Sequence, residues 1–164
     1  MSSEPDHVGR IMDQWARERP DLDVSPMGVI GRLHRLADRL QAELRPVFAA
    51  HGLGEGDFDV LATLRRSGAP YRLTPSQLAD SAMVTSGAVT KRVDRLVSAG
   101  LVERSASPRD GRSCDVALTP DGLELVDRLV TEHVANEHRL LAGLGAAERS
   151  RLAQLLEQWG RAIG

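Results

Sequence analysis

At 164 residues the chain is long enough for one well-filled core, and 41% hydrophobic with 27% charged residues is a soluble, globular composition. No apolar run approaches the roughly 20 residues of a membrane span. The start, MSSEPDHVGRIMDQW, carries acidic residues and no apolar core before a small-residue cleavage site, so a cytoplasmic protein without membrane attachment is expected. A formal net charge of −2 speaks against a uniformly basic binder of polyanions, but not against a local basic face on an acidic body.

Val8, Ile11, Met12 and Trp15 recur at helical spacing and predict a short amphipathic helix over 6–18, stopped by Pro20. Ser25 followed by Pro26 reads as an N-cap with proline at the first helical position. A long helix then runs to about Ala50, with Ile30, Leu33, Leu36, Leu40, Leu44 and Val47 on one stripe. Pro46 is expected to bend it or end it early, and Gly52 and Gly54 close the element. Asp57 to Arg66 is a short helix burying Phe58, Leu61 and Leu64, followed by the turn Ser67-Gly68-Ala69-Pro70. Thr74 and Gln77 form a capping box for a helix lasting to about Ser81, and Met83-Val84 make a turn.

Thr85 or Ser86 caps the next helix, which ends before Gly100, a residue suited to the left-handed C′ position. At about 100° per residue, Val89, Val93, Leu96 and Val97 share its apolar face. Gly87, Lys91, Arg95 and Ser98 lie opposite, and Arg92 falls near the edge, looking sideways toward a neighbouring element. Leu101–Arg104 and Cys114–Leu118 are strands joined by SASPRDGRS, with Pro108 and Asp110-Gly111 marking the turn. Thr119-Pro120 caps a long helix to about Leu141, and a last helix from about Ala146 aligns Leu152, Leu155, Leu156, Trp159 and Ile163.

A helix, a turn, a second helix and a hairpin with a basic tip make a winged helix-turn-helix, whose second helix suits a DNA major groove. The local charge agrees. Thr85 to Ser113 holds six basic residues (Lys91, Arg92, Arg95, Arg104, Arg109, Arg112) against three acidic ones. Thr85, Ser86, Thr90, Lys91 and Arg95 are candidates for backbone and base contacts, and Arg109 and Arg112 for the minor groove or phosphates. A merely solvated face would explain Arg95 but accounts poorly for the basic hairpin tip. The apolar stripes at both ends of the chain exceed what the central module can cover, so a two-fold dimer is expected, which suits a palindromic site.

Catalytic signals are thin. His133 and His138 are five apart and miss the H-E-x-x-H face, and no nucleophile elbow, P-loop or dinucleotide fingerprint is present. His133 and Glu137 could share a metal at i,i+4, although neither a metal nor any other cofactor is expected. Cys114, the single cysteine, excludes an internal disulfide and is expected to be packed and inert.

The order of elements, with DGRSCDVALTPDG closing the wing, resembles the MarR family of bacterial transcriptional regulators over nearly the whole chain. The carrying residues are Asp110, Arg112, Leu118, Thr119 and Gly122, after SG…R…L…GLV-x-R. The implied fold is mainly α with a small β-wing, a MarR-type winged helix with terminal helices forming a homodimer scaffold. One such domain would span 1–164, with an N-terminal extension at 1–24, dimerisation helices at 25–52 and 119–164, and a DNA-binding lobe at 55–118. The resemblance also gives Asp110 the role of bracing a wing arginine.

The tryptophan-bearing N-terminal helix, QWARERPDLDVSPMGVIGRL, is similar to the urate-responsive branch, the HucR, PecS, MftR and TamR type. By motif position that branch's ligand residues fall on Trp15, Asp59, Arg66 and Arg92. An arginine fork would hold an anionic purine, Trp15 would offer an aromatic wall, and Asp59 would feel the incoming charge. Singly these residues are better read as a packing anchor and a surface pair; together with the extra helix they point to a ligand. Lys91 departs from the asparagine frequent in that branch. The implied function is a regulator, expected to be a repressor, that leaves a palindromic operator when urate, xanthine or a related purine binds. Another phenolic or aromatic carboxylate ligand, or a winged-helix interaction module that senses nothing, are the alternatives.

Overall fold

The computed structural model describes residues 4–82, 86–106 and 114–164, with backbone alone at 86–88. The chain divides into two compact units, 1–43 and 44–164. Helix α1 (His7–Glu18) and the greater part of α2 (Ser25–Ala49) make the first.

Within that unit Asp6 is the organising residue. Its carboxylate caps α1 by accepting from the Gly9 N–H at 2.7 Å. It also takes a two-point ion pair from Arg32 on α2, at 2.8 and 2.9 Å. Gly28 and Gly31 let the helices approach closely: a Cβ at Gly31 would lie 3.2 Å from the Val8 side chain, and one at Gly28 3.1 Å from the Met12 sulfur. Ser25 is already helical, and the cap expected of it comes from Asp23, which accepts the Ser25 N–H at 2.9 Å. Ile11, Trp15, Met27, Val29, Ile30 and Leu36 leave large apolar surfaces exposed.

The Arg32 guanidinium, and then the Gly9 N–H, hold the Asp6 carboxyl below its ordinary value; Arg19 does the same for Asp21 and the Ser25 N–H for Asp23. A carboxyl whose folded value is depressed contributes stability above its unfolded value, and loses it as pH falls through the folded one. Helix α1 should therefore stay docked at neutral pH and loosen below about pH 4. Trp15 fluorescence in a Trp159→Phe background should report an acid transition that Asp6→Asn makes shallower.

In the second unit the end of α2 leads through Gly52, at φ +70°, into α3 (Glu55–Arg66). There follow β1 (Arg72–Leu73), α4 (Pro75–Ser81), α5 (Ser86–Ser98), β2 (Val102–Ala106), β3 (Cys114–Leu118), α6 (Pro120–Leu140) and α7 (Ala146–Ile163). The strands form an antiparallel sheet in the order β1-β3-β2, with Val102 opposite Leu118, Ala106 opposite Cys114 and Arg72 opposite Ala117. Phe48, Val60, Leu61, Leu64, Leu78, Leu96, Val116, Val126 and Leu129 fill the core. Pro46 does not end α2, which continues to Ala49.

Three of the predicted caps are present. Thr74 and Gln77 exchange their hydrogen bonds at 3.0 and 3.2 Å. Gly100, at φ +70°, closes α5 with Gly100 N–H to Val97 O and Leu101 N–H to Leu96 O, a Schellman motif. Thr119 caps α6 by accepting from the Gly122 N–H at 3.0 Å, and its hydroxyl donates to Gly100 O at 2.7 Å.

Three differences from expectation have physical causes. Helix α3 begins at Glu55, because Asp57 sits at its third position and accepts the Gly54 N–H at 2.7 Å. Strand β1 is too short to show alternation and exists by pairing with β3. Cys114 is exposed rather than packed, since it opens β3 before the buried stretch Asp115–Leu118 begins. Among the described residues no helix is long and apolar enough to cross a membrane.

Candidate functional site

Helix α5 buries Val89, Val93 and Leu96 and leaves Val97 38% exposed, so its apolar face is narrower than the sequence pattern suggests. Thr90 and Lys91 are exposed. Arg92 reaches sideways, as its helical phase requires: its guanidinium lies over Gly56 on α3, in space that a Cβ there would fill. Arg95, expected to point outward, instead folds back onto the Asp57 carboxylate. Arg104 on β2 pairs with Asp94 at 2.7 Å, fixing the hairpin to the same helix. Thr85, Arg109, Asp110 and Arg112, and the Ser86 side chain, lie outside the described residues.

Arg92 and Arg95 border a half-open cavity of about 1020 Å³ lined by the end of α2, the start of α3, α5 and α6. Its walls differ in chemistry. Lys91, Arg92 and Arg95 supply cations from α5, whereas Glu55, Asp57 and Asp59 line the α3 side. Opposite, Phe48 and Phe58 stack at 4.7 Å, and the His133 ring lies 5.4 and 4.9 Å from them. His133 Nε2 is 3.2 Å from Glu137 Oε1, while its buried Nδ1 has no hydrogen-bond partner among the described residues. No cluster of three or more metal-ligating side chains occurs among the described residues.

Of the four residues that the resemblance assigns to a ligand, Asp59 and Arg92 border this cavity. Arg66 does not. Its Nη1 is 4.0 Å from Asp59 Oδ1, and its Nη2 donates to the Ser81 carbonyl at the end of α4. Trp15 belongs to the first unit, where it is 42% exposed. Sequence reasoning missed the aromatic wall and Asp57. The available signal was His133, a polar residue on the stripe that Val126 and Leu129 bury.

Two consecutive short helices, α4 and α5, set between strands of one antiparallel three-stranded sheet, define the lobe as a winged helix-turn-helix. A model of the MarR family matches residues 51–113. The HTH-type transcriptional regulator PecS of Dickeya dadantii (strain 3937) is 44% identical over 149 residues, covering 91% of this chain and 90% of that protein. The structure of Bordetella bronchiseptica BpsR, described with regulation of its DNA binding by 6-hydroxynicotinic acid, matches with a TM-score of 0.72 and 27% identity. It covers 80% of this chain and 92% of that one. A mutant MarR from E. coli complexed with operator DNA matches with a TM-score of 0.66 and 28% identity, over 88% and 96% of the two chains. The chain belongs to the MarR family of transcriptional regulators, not to a family of enzymes.

Proposed function

We propose that the protein is a homodimeric repressor that binds a palindromic operator and releases it when a small planar anion, urate or a related purine, enters the cavity beside α5. The observation that carries this reading is that α5 lines the cavity and at the same time leaves Thr90 and Lys91 exposed to solvent. Arg92 turns into the cavity, which Lys91 also borders. A ligand held by Arg92 would act on the DNA-reading element without an intermediary. Thr85, Ser86, Arg109 and Arg112 would complete the DNA face, with Asp110 bracing the wing. Asp59 and Arg66 would set the charge around the effector, and Trp15 would report it.

The exposed apolar stripes of both units supply the cover that a second copy needs: Ile11, Val29 and Leu36 in one, Val134, Leu152 and Leu155 in the other. A dimer would set two α5 helices about one DNA turn, ~34 Å, apart. A second effector class, the aromatic carboxylates, is favoured by the Phe48–Phe58–His133 wall and by the ligand described for BpsR.

Two measurements test the reading. In a Trp159→Phe background, micromolar urate should quench Trp15 and reverse a gel shift on a duplex selected from a randomised library. Lys91→Ala should weaken operator binding and lower the slope of log K against log salt by about 1. Urate changing neither signal would rule out the purine while sparing the regulator. A selected duplex bound with an unchanged slope would displace Lys91 from the DNA face.

A further inference from the structure

The start of α3, Gly54-Glu55-Gly56-Asp57, is shaped to receive two arginines from α5. Asp57 is the anchor. Its side chain is only 2% exposed, and it already accepts the Gly54 N–H at 2.7 Å. A carboxylate this deep needs a counter-charge, and Arg95 supplies it. Glycine at 56 leaves open the space that the Arg92 guanidinium occupies. A glycine at 56 and a buried carboxylate beside it make a seat for guanidinium groups rather than a chance surface pair.

We propose that Arg95 is a positioning residue and not a DNA contact: docked on Asp57, it fixes the angle at which α5 presents Thr90 and Lys91. A phosphate contact and this ion pair compete for the same guanidinium, so they predict opposite results when Asp57 loses its charge. If Arg95 served phosphate, neutralising Asp57 would free a cation and tighten binding. If Arg95 is a strut, neutralising Asp57 slackens the helix and weakens binding, although no group that touches DNA has been removed. The inference rests on the DNA-binding reading above and concerns how that reading is held in register.

The test uses the full-length protein and the selected duplex, with affinity measured as a function of KCl concentration. Asp57→Asn retains an oxygen for the Gly54 N–H and is the variant best suited to keep the fold. Asp57→Asn, Arg95→Gln and the double variant should each weaken binding about tenfold, the double no more than either single, with the salt slope unchanged. Asp57→Glu should recover part of the loss. In the free protein, the Arg95 Nε–H resonance should shift in Asp57→Asn and hold its place when duplex is added to the wild type. A slope reduced by about 1 in Arg95→Gln, or tighter binding in Asp57→Asn, would overturn the proposal and leave the regulator reading intact. An Arg95 resonance indifferent to Asp57→Asn would overturn it without reference to DNA. Failure to bind any selected duplex would remove both readings together.

Discussion

Gly122→Ala should lower the stability of the DNA-binding lobe by about 3 kcal/mol, the upper part of the usual range for forcing an added methyl into a packed site. The first turn of α6 lies against the chain as it leaves α5, and a Cβ on Gly122 would overlap the Leu101 carbonyl oxygen and stand 2.9 Å from its carbon. That carbonyl cannot swing aside freely, because it accepts the Thr119 N–H at 3.1 Å. Thr119 in turn holds Gly100 O and the Gly122 N–H through one hydroxyl. The cost should appear as a lower urea midpoint at unchanged slope. Gly143→Ala, where an added Cβ would meet nothing within 4 Å, is the matched control and should stay within about 0.5 kcal/mol of the parent. A Gly122→Ala protein as stable as that control would show that the Leu101 carbonyl can yield.

The second large effect is functional. If urate is the effector as proposed, Arg92→Ala should raise its concentration for half-release of the operator by about a hundredfold, the scale of losing charged hydrogen bonds in a partly enclosed site. Operator affinity should change by no more than a few fold, because Arg92 points into the cavity. Gly56→Ala should move the response in the same direction by another route. Its methyl would fall where the Arg92 guanidinium lies, and the far end of a flexible side chain can turn away at little cost to folding. A variant that folds, binds DNA and ignores effector is the expected result. An unaltered response in both variants would remove Arg92 from the sensor.

The elements that the sequence made legible are those closed by local chemistry. The Thr74–Gln77 box, Thr119-Pro120 and the glycine at 100 each act within one turn of chain, and each stands where residue type places it. The sideways reach of Arg92 follows from helical phase alone. What escaped was decided by distant partners. Strand β1 needs β3; Arg95 was read from its own helix, which says nothing of a carboxylate on α3; and the ring cluster joins Phe48, Phe58 and His133 from three helices. Nothing local marks Asp57 as buried, because a carboxylate in a first helical turn ordinarily reads as a solvated partner of the helix dipole.

Helix α7 carries one further implication. None of its residues is buried, although Leu152, Leu155, Leu156 and Ile163 share its surface with 38–74% exposure. An isolated helix of this length is marginal in water, so its apolar stripe contributes only once something covers it. With a second copy of the chain as the cover, folding and pairing become one bimolecular equilibrium, and the folded fraction depends on how much protein the cell holds. Copy number would then act as an input of its own. Scarce chains would stay single and incompletely ordered, and abundance would set the point at which a reader competent for DNA exists at all.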